Sequence, residues 1–193
     1  MANVAVFHSV LGVRDGVNDA ARRLTEAGHQ VLVVDQYAGR SFDDYEEADA
    51  FAKGIGYPEL MSRAVDAVKE LDDGFVCLGF SNGGGMSEHV ASHRAISGAI
   101  LVAGVLPLDM AGVESWPSAV PVQVHYTAGD PFRRQDWIDE LRADVQEAGA
   151  SFEMFEYEGE GHLFTDPSRP HEFQSDDAEL VWKRVLTFAP LDR

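Results

Sequence analysis

Ser81, Asp130 and His162 are of the types that, brought together, turn an alcohol into a nucleophile. A serine hydroxyl attacks poorly until an imidazole can take its proton. A carboxylate on the other ring nitrogen fixes the tautomer and steadies the imidazolium that forms. The order along the chain is serine, acid, histidine, the order expected when the serine sits on a sharp strand-to-helix turn. Here that turn is Gly79-Phe80-Ser81-Asn82-Gly83, with Gly84 and Gly85 opening the helix behind it. Glycine two before and two after the serine is a steric need, since side chains there would meet the neighbouring strand and helix. The positive end of the helix then faces the Ser81 oxygen, and the Asn82 amide points where an oxyanion would form. A second donor belongs in the loop after the first strand, where Val10 of Ser9-Val10-Leu11-Gly12 is the candidate.

Each residue also has a plainer reading. The Gly-rich segment alone is a weak signal, Asp130-Pro131 is a good turn former, and His162 could be an exposed loop histidine. Asp109, after the fourth strand, is the fallback acid. Phe80, Trp116, Phe132, Leu163 and Phe164 lie near these residues in sequence; they could line an apolar pocket or belong to the core. Arg133 and Arg134 are the basic spot nearest the site, either surface charge or a lure for a substrate carboxylate.

The elements that must carry these residues are legible. Strands are expected at 4–7 and 30–35, both of buried type, at 75–78, 96–104 and 121–127, and at 151–157, where Phe152 and Met154 alternate. Helices are expected at 14–27, from Gly84 to about His93, and at 58–71, 135–148 and 176–188. Asp176 and Glu179 are spaced as a capping box for the last of these. Residues 36–57 are acidic and aromatic, with a short helix expected at 43–53; they read as a solvated excursion or as a wall over the site. Strands alternating with helices argue for a parallel sheet covered on both faces, and right-handed crossovers make it doubly wound. In such a sheet the loops after the strand C-termini converge on one edge, where Asp130 and His162 would meet Ser81. One domain over 1–193 is expected from the length and the lack of linkers or repeats.

Composition narrows the classes. A net charge of −18 repels phosphate backbones and anionic lipid, so nucleic acid and membranes are poor partners. Cys77 is the only cysteine, which fits a reducing compartment and a cytoplasmic chain; it reads as a small core residue. MANVAVFHSV does not read as a signal peptide. His89 and His93, four apart on a helix, lack an evident third ligand, so no metal is expected. The first strand lacks a dinucleotide fingerprint and the serine turn lacks the lysine of a phosphate-cradling loop, so no cofactor is expected.

Taken together, the HSVLG loop, the GFSNGGG turn, the AGDPF segment and the GEGHLF loop resemble the dienelactone hydrolase family of α/β-hydrolases over nearly the whole chain. The resemblance implies a minimal α/β-hydrolase, a mostly parallel six-stranded sheet of order 2-1-3-4-5-6, with Ser81 where the strand order reverses. Three departures stand out: Ser81 replaces the cysteine of the namesake enzymes, Ser9 their gating glutamate, and Asp166 the arginine that grips the substrate carboxylate. The implied activity is therefore a serine hydrolase cleaving a small carboxylic ester, thioester or lactone through an acyl-enzyme, with dienelactone itself a poor expectation. The alternatives are a non-catalytic small-molecule binder on the same fold and a flavodoxin-like nucleotide or flavin binder.

Overall fold

The computed structural model describes residues 1–188, Pro190 and Leu191. Six strands, β1 (Asn3–Phe7), β2 (Gln30–Val34), β3 (Phe75–Phe80), β4 (Ile96–Val102), β5 (Val122–Thr127) and β6 (Phe152–Tyr157), form one sheet of order β2-β1-β3-β4-β5-β6. Every pairing is parallel. Among the described residues six helices pack on them, five between strands and the last after β6: α1 (Asp15–Glu26), α2 (Tyr45–Ile55), α3 (Tyr57–Ala67), α4 (Asn82–His93), α5 (Gln135–Glu147) and α6 (Ser175–Val185).

The period of two along each strand sorts the core into two layers. Ala5, Phe7, Phe75, Cys77, Ala99 and Leu101 face a layer built with α3, α4 and α5. Their neighbours Val4, Val6, Val76, Leu78, Ile100 and Val102 face Val17, Ala20 and Leu24 of α1 and Val181, Trp182 and Val185 of α6. Buried on both sides, the central strands need continuous apolar runs. Cys77 is fully buried and burial pushes its thiol pKa up, so it behaves as a small core residue.

Several boundaries differ from expectation for local reasons. β4 ends at Val102, two residues early, because Ala103 has a positive φ of 54° and Gly104 is pressed against the Ser81 carbonyl. The 58–71 helix stops at Ala67 and the chain turns through Val68 to Gly74, whose φ is +89°. The capping box is absent: α6 is capped by Gln174 without a side-chain bond, and Glu179 instead pairs with Arg23 of α1. α2 is capped by Asp44, whose carboxylate accepts from the Glu47 amide, and Gly56 (φ +95°) breaks it from α3. Among the described residues no helix is long and apolar enough to cross a membrane, and no group of three or more His, Cys, Asp or Glu is placed to hold a metal.

Candidate active site

β3 runs into a turn whose flanking positions, Gly79 and Gly83, admit only glycine. Ser81 has φ +51° and ψ −117°, a conformation that residues with a Cβ rarely adopt and one that costs roughly 1–3 kcal/mol. A Cβ on Gly79 would overlap the Gly83 carbonyl, and one on Gly83 would overlap the Phe7 carbonyl of β1. The turn can therefore sit down between β1 and α4 only without those side chains. It leaves Ser81 at the N-terminus of α4, where its side chain makes no capping bond.

The Ser81 oxygen lies 2.7 Å from His162 Nε2, and His162 Nδ1 lies 2.8 Å from Asp130 Oδ2. The Asp130 carboxylate and the imidazole are both buried. The other oxygen of Asp130 accepts from the Phe132 amide at 2.8 Å, so the residue is a turn former and the partner of His162 at once. The loop after β6 is held to the loop after β5: Gly129 donates to the Gly159 carbonyl, and Thr127 Oγ1 donates to the Gly161 carbonyl at 2.8 Å. Gly161 has no room for a Cβ beside the Glu172 carbonyl. One residue past His162, the Leu163 amide donates to Glu172 Oε2 at 2.8 Å. Asp109, the fallback acid, is exposed and accepts from the Met110 amide instead.

The loop after β1 is braced from below by His8. Its Nε2 accepts from the Gln36 amide at 3.2 Å, so Nδ1 carries the proton and donates to the Ser9 carbonyl at 2.6 Å. Burial lowers the His8 pKa, which keeps the ring neutral in that tautomer. The Leu11 amide is taken up by Ser9 Oγ at 3.2 Å. The amides of Val10 and Asn82 have no intramolecular partner among the described residues.

A cavity of about 510 Å³ opens over Ser81, and Val10, Asn82 and His162 border it. Its aromatic lining is Tyr45 of α2, Tyr57 of α3, Phe132 and Trp137 of α5. The acidic, aromatic segment is thus a wall of this cavity. Phe132 and Tyr45 also crowd the imidazole, with ring centroids 4.7 and 6.0 Å from His162.

Of the five pocket residues expected from sequence, Phe132 alone lines this cavity. Trp116 is buried in the core and its indole N–H donates to the Val120 carbonyl at 2.8 Å. Phe164 is wholly buried against Tyr157, and Phe80 faces the same layer as α1 and α6. Leu163 packs on Leu11 and Ala48. Proximity in sequence misled because alternate residues of a strand or tight loop face opposite sides. Tyr57 and Trp137 were missed, although helices in this fold begin at the edge where strands end, which is the signal that points to them.

Charged neighbours are also sorted. Arg133 pairs with Glu156 at 2.6 Å, while Arg134 borders the cavity and pairs with Asp136 at 2.7 Å. Asp166 is not in the cavity: its Oδ1 accepts from the Gly16 amide at 2.9 Å, at the first turn of α1.

A family model described as the dienelactone hydrolase family matches residues 1–190. Solved structures share the fold at low identity. One titled "m3DLH" is 21% identical with a TM-score of 0.77, covering 95% of this chain and 83% of its own. A dienelactone hydrolase-like promiscuous phosphotriesterase, P91, from metagenomic libraries is 20% identical with a TM-score of 0.79, over 96% and 84% of the two chains. The alpha/beta hydrolase domain-containing protein 10 from mouse is 10% identical with a TM-score of 0.68, over 95% and 87%. No curated protein matches the chain.

Proposed function

This chain belongs to the dienelactone hydrolase family, and we propose that it is a serine hydrolase that cleaves a carboxylic ester, thioester or lactone through an acyl-enzyme. The observation that carries the reading is the unbroken chain of two short hydrogen bonds from Ser81 through His162 to buried Asp130. Ser81 Oγ attacks the substrate carbonyl while His162 Nε2 takes the hydroxyl proton. Asp130 holds Nδ1–H and stabilises the imidazolium. The amides of Val10 and Asn82 donate to the oxyanion, a contribution worth about 3–4 kcal/mol per donor where one has been removed in other hydrolases. The carbon–oxygen or carbon–sulfur bond breaks as the imidazolium returns its proton to the leaving group. Water then attacks the acyl carbon, gives a proton to His162, and the free acid departs as Ser81 Oγ regains that proton.

The departures from the namesake enzymes argue against their substrate. Asp166 is engaged at the start of α1, so nothing at that position can grip a substrate carboxylate. Hydrolase-family membership also removes the support for the flavodoxin-like reading, which rested on strand order.

A fluorophosphonate probe tests the proposal directly. It should add its mass to Ser81 in the wild type and leave Ser81→Ala unmodified, and His162→Ala should abolish ester hydrolysis with the fold intact. A well-folded wild type that neither labels nor cuts any ester would favour the non-catalytic binding protein.

A further inference from the structure

We infer that the substrate straddles Ser81 between two cavities of unequal size, a compact acyl group in the smaller and an aromatic-sized leaving group in the larger. The inference deepens the serine-hydrolase reading and rests on it. Ser81, Asn82, Phe132, Trp137 and His162 border both spaces. The larger, of about 510 Å³, runs out past Tyr45 and Tyr57. The smaller, of about 140 Å³, is lined on its far side by residues 103–106 and Tyr126. At roughly 30 Å³ for a water-sized group, the smaller space holds about four or five such groups.

The wall of the small cavity is clamped to the serine helix at successive points. Gly104 has no room for a Cβ against the Ser81 carbonyl, and Gly84 has none against the Gly104 carbonyl. The Leu106 amide donates to both oxygens of Glu88, at 3.2 and 3.3 Å, and the Leu106 side chain fills the space over Gly85. Glu88 is fully buried in the middle of α4, and among the described residues it has no cationic partner. A wall held this way cannot yield to a longer chain, so its volume is a limit on size.

The sequence of bond changes assigns the two ends. Ser81 Oγ bonds the acyl carbon, the leaving group departs with the proton from His162, and water must then reach the same carbon beside the same imidazole. The space vacated by the leaving group is therefore the one open to solvent. The larger cavity meets that need at its rim, where Asp49 and Arg134, which do not border the smaller one, have side chains 42% and 54% exposed. Its ring of Tyr45, Tyr57, Phe132 and Trp137 suits a flat aromatic alcohol or thiol. Leu106 is then the residue that sets acyl length, and Tyr57 one that senses the leaving group.

Two ester series test this. With phenol as the fixed leaving group, kcat/KM should peak between acetyl and butanoyl and fall about tenfold or more by octanoyl. Leu106→Ala should move the peak to longer acyl groups while leaving the preference between phenyl and 2-naphthyl butanoates unchanged; Tyr57→Ala should do the reverse. The wild-type profile needs no variant to fold. A wild type that cuts octanoyl as well as butanoyl esters, or a Leu106→Ala change confined to the leaving-group series, overturns the assignment. Fluorophosphonate labelling of Ser81 with the wrong size profile sinks the cavity assignment alone. Absence of both labelling and hydrolysis sinks the hydrolase reading and this inference with it.

Discussion

Tyr45 and Glu172 are joined across the mouth of the site: the Tyr45 hydroxyl donates to Glu172 Oε2 at 2.8 Å, and that same oxygen accepts from the Leu163 amide. The first residue of α2 is thereby tied to the loop that presents His162. Tyr45→Phe removes the tie and keeps the ring. The expected outcome is a loss of about 1 kcal/mol in stability, with kcat/KM for a phenyl ester reduced several-fold and KM the smaller part of the change. Urea unfolding and steady-state kinetics check the two halves separately.

Glu172 makes a pH prediction. Burial works against its charge, but the Leu163 amide, the Tyr45 hydroxyl and Arg169 outweigh it and hold its pKa below the usual 4.5. A depressed carboxylate contributes stability that is present above its unfolded pKa and is lost as pH falls through the folded one. The stability gap between wild type and Glu172→Gln should therefore be full at pH 6–7 and shrink below about pH 4.5. Denaturant melts across that range would show it, and a gap that grows on acidification would refute it.

Glu88 predicts the opposite slope. Burial, the dominant cause, raises its pKa well above 4.5, and the Leu106 amide offsets this only in part. The folded chain then holds a proton that the unfolded chain releases above about pH 4.5. Its contribution is largest in acid and falls by up to about 1.4 kcal/mol per pH unit above that point. Glu88→Gln, which stays neutral, should gain stability relative to wild type as pH rises from 5 to 8. Melting curves at three pH values decide it.

Gly104 tests the seating of the serine turn. With its Cα against the Ser81 carbonyl, Gly104→Ala must displace β3 or β4. A loss of about 3 kcal/mol or more is expected, against a gain of roughly 0.5 kcal/mol for Gly54→Ala, where a Cβ would meet open space within α2. Thermal denaturation of the pair is the measurement.

Asp166 separates a structural from a substrate role. It accepts from the Gly16 amide, the Ser168 amide and the Ser168 hydroxyl, at 2.9, 2.9 and 2.7 Å. Asp166→Ala should cost about 1 kcal/mol, as the loss of a helix-capping side chain does, and leave the ester profile unaltered. A change in substrate preference without a change in stability would place it back at the site.

The sheet was readable because apolar runs, glycine stops and 3.6-residue stripes are local consequences of burial, and both faces of this sheet are covered. The glycines around Ser81 were readable too, since a tight turn excludes Cβ atoms whatever lies beyond it. The strand order was implied by resemblance, not by any local pattern. Of the pocket lining only Phe132 and the acidic, aromatic wall were legible. Phe80 and Trp116 look like lining in the sequence and are core, while the sign that points to Tyr57 and Trp137 is their place at helix starts, not their local pattern.

By itself, the sequence determined which residue types could form a nucleophile, a base and an acid, and that each lies just after a strand. Residue type and strand periodicity suffice for that, because both act within a few positions of the chain. Only the tertiary structure decided that the imidazole of His162 reaches the Ser81 oxygen, that the segment containing Tyr45 closes over them, and that two cavities of different size meet there. Those relations depend on the order in which strands pair and on which side chains fill the space between loops, contacts made across tens of residues that no local pattern encodes.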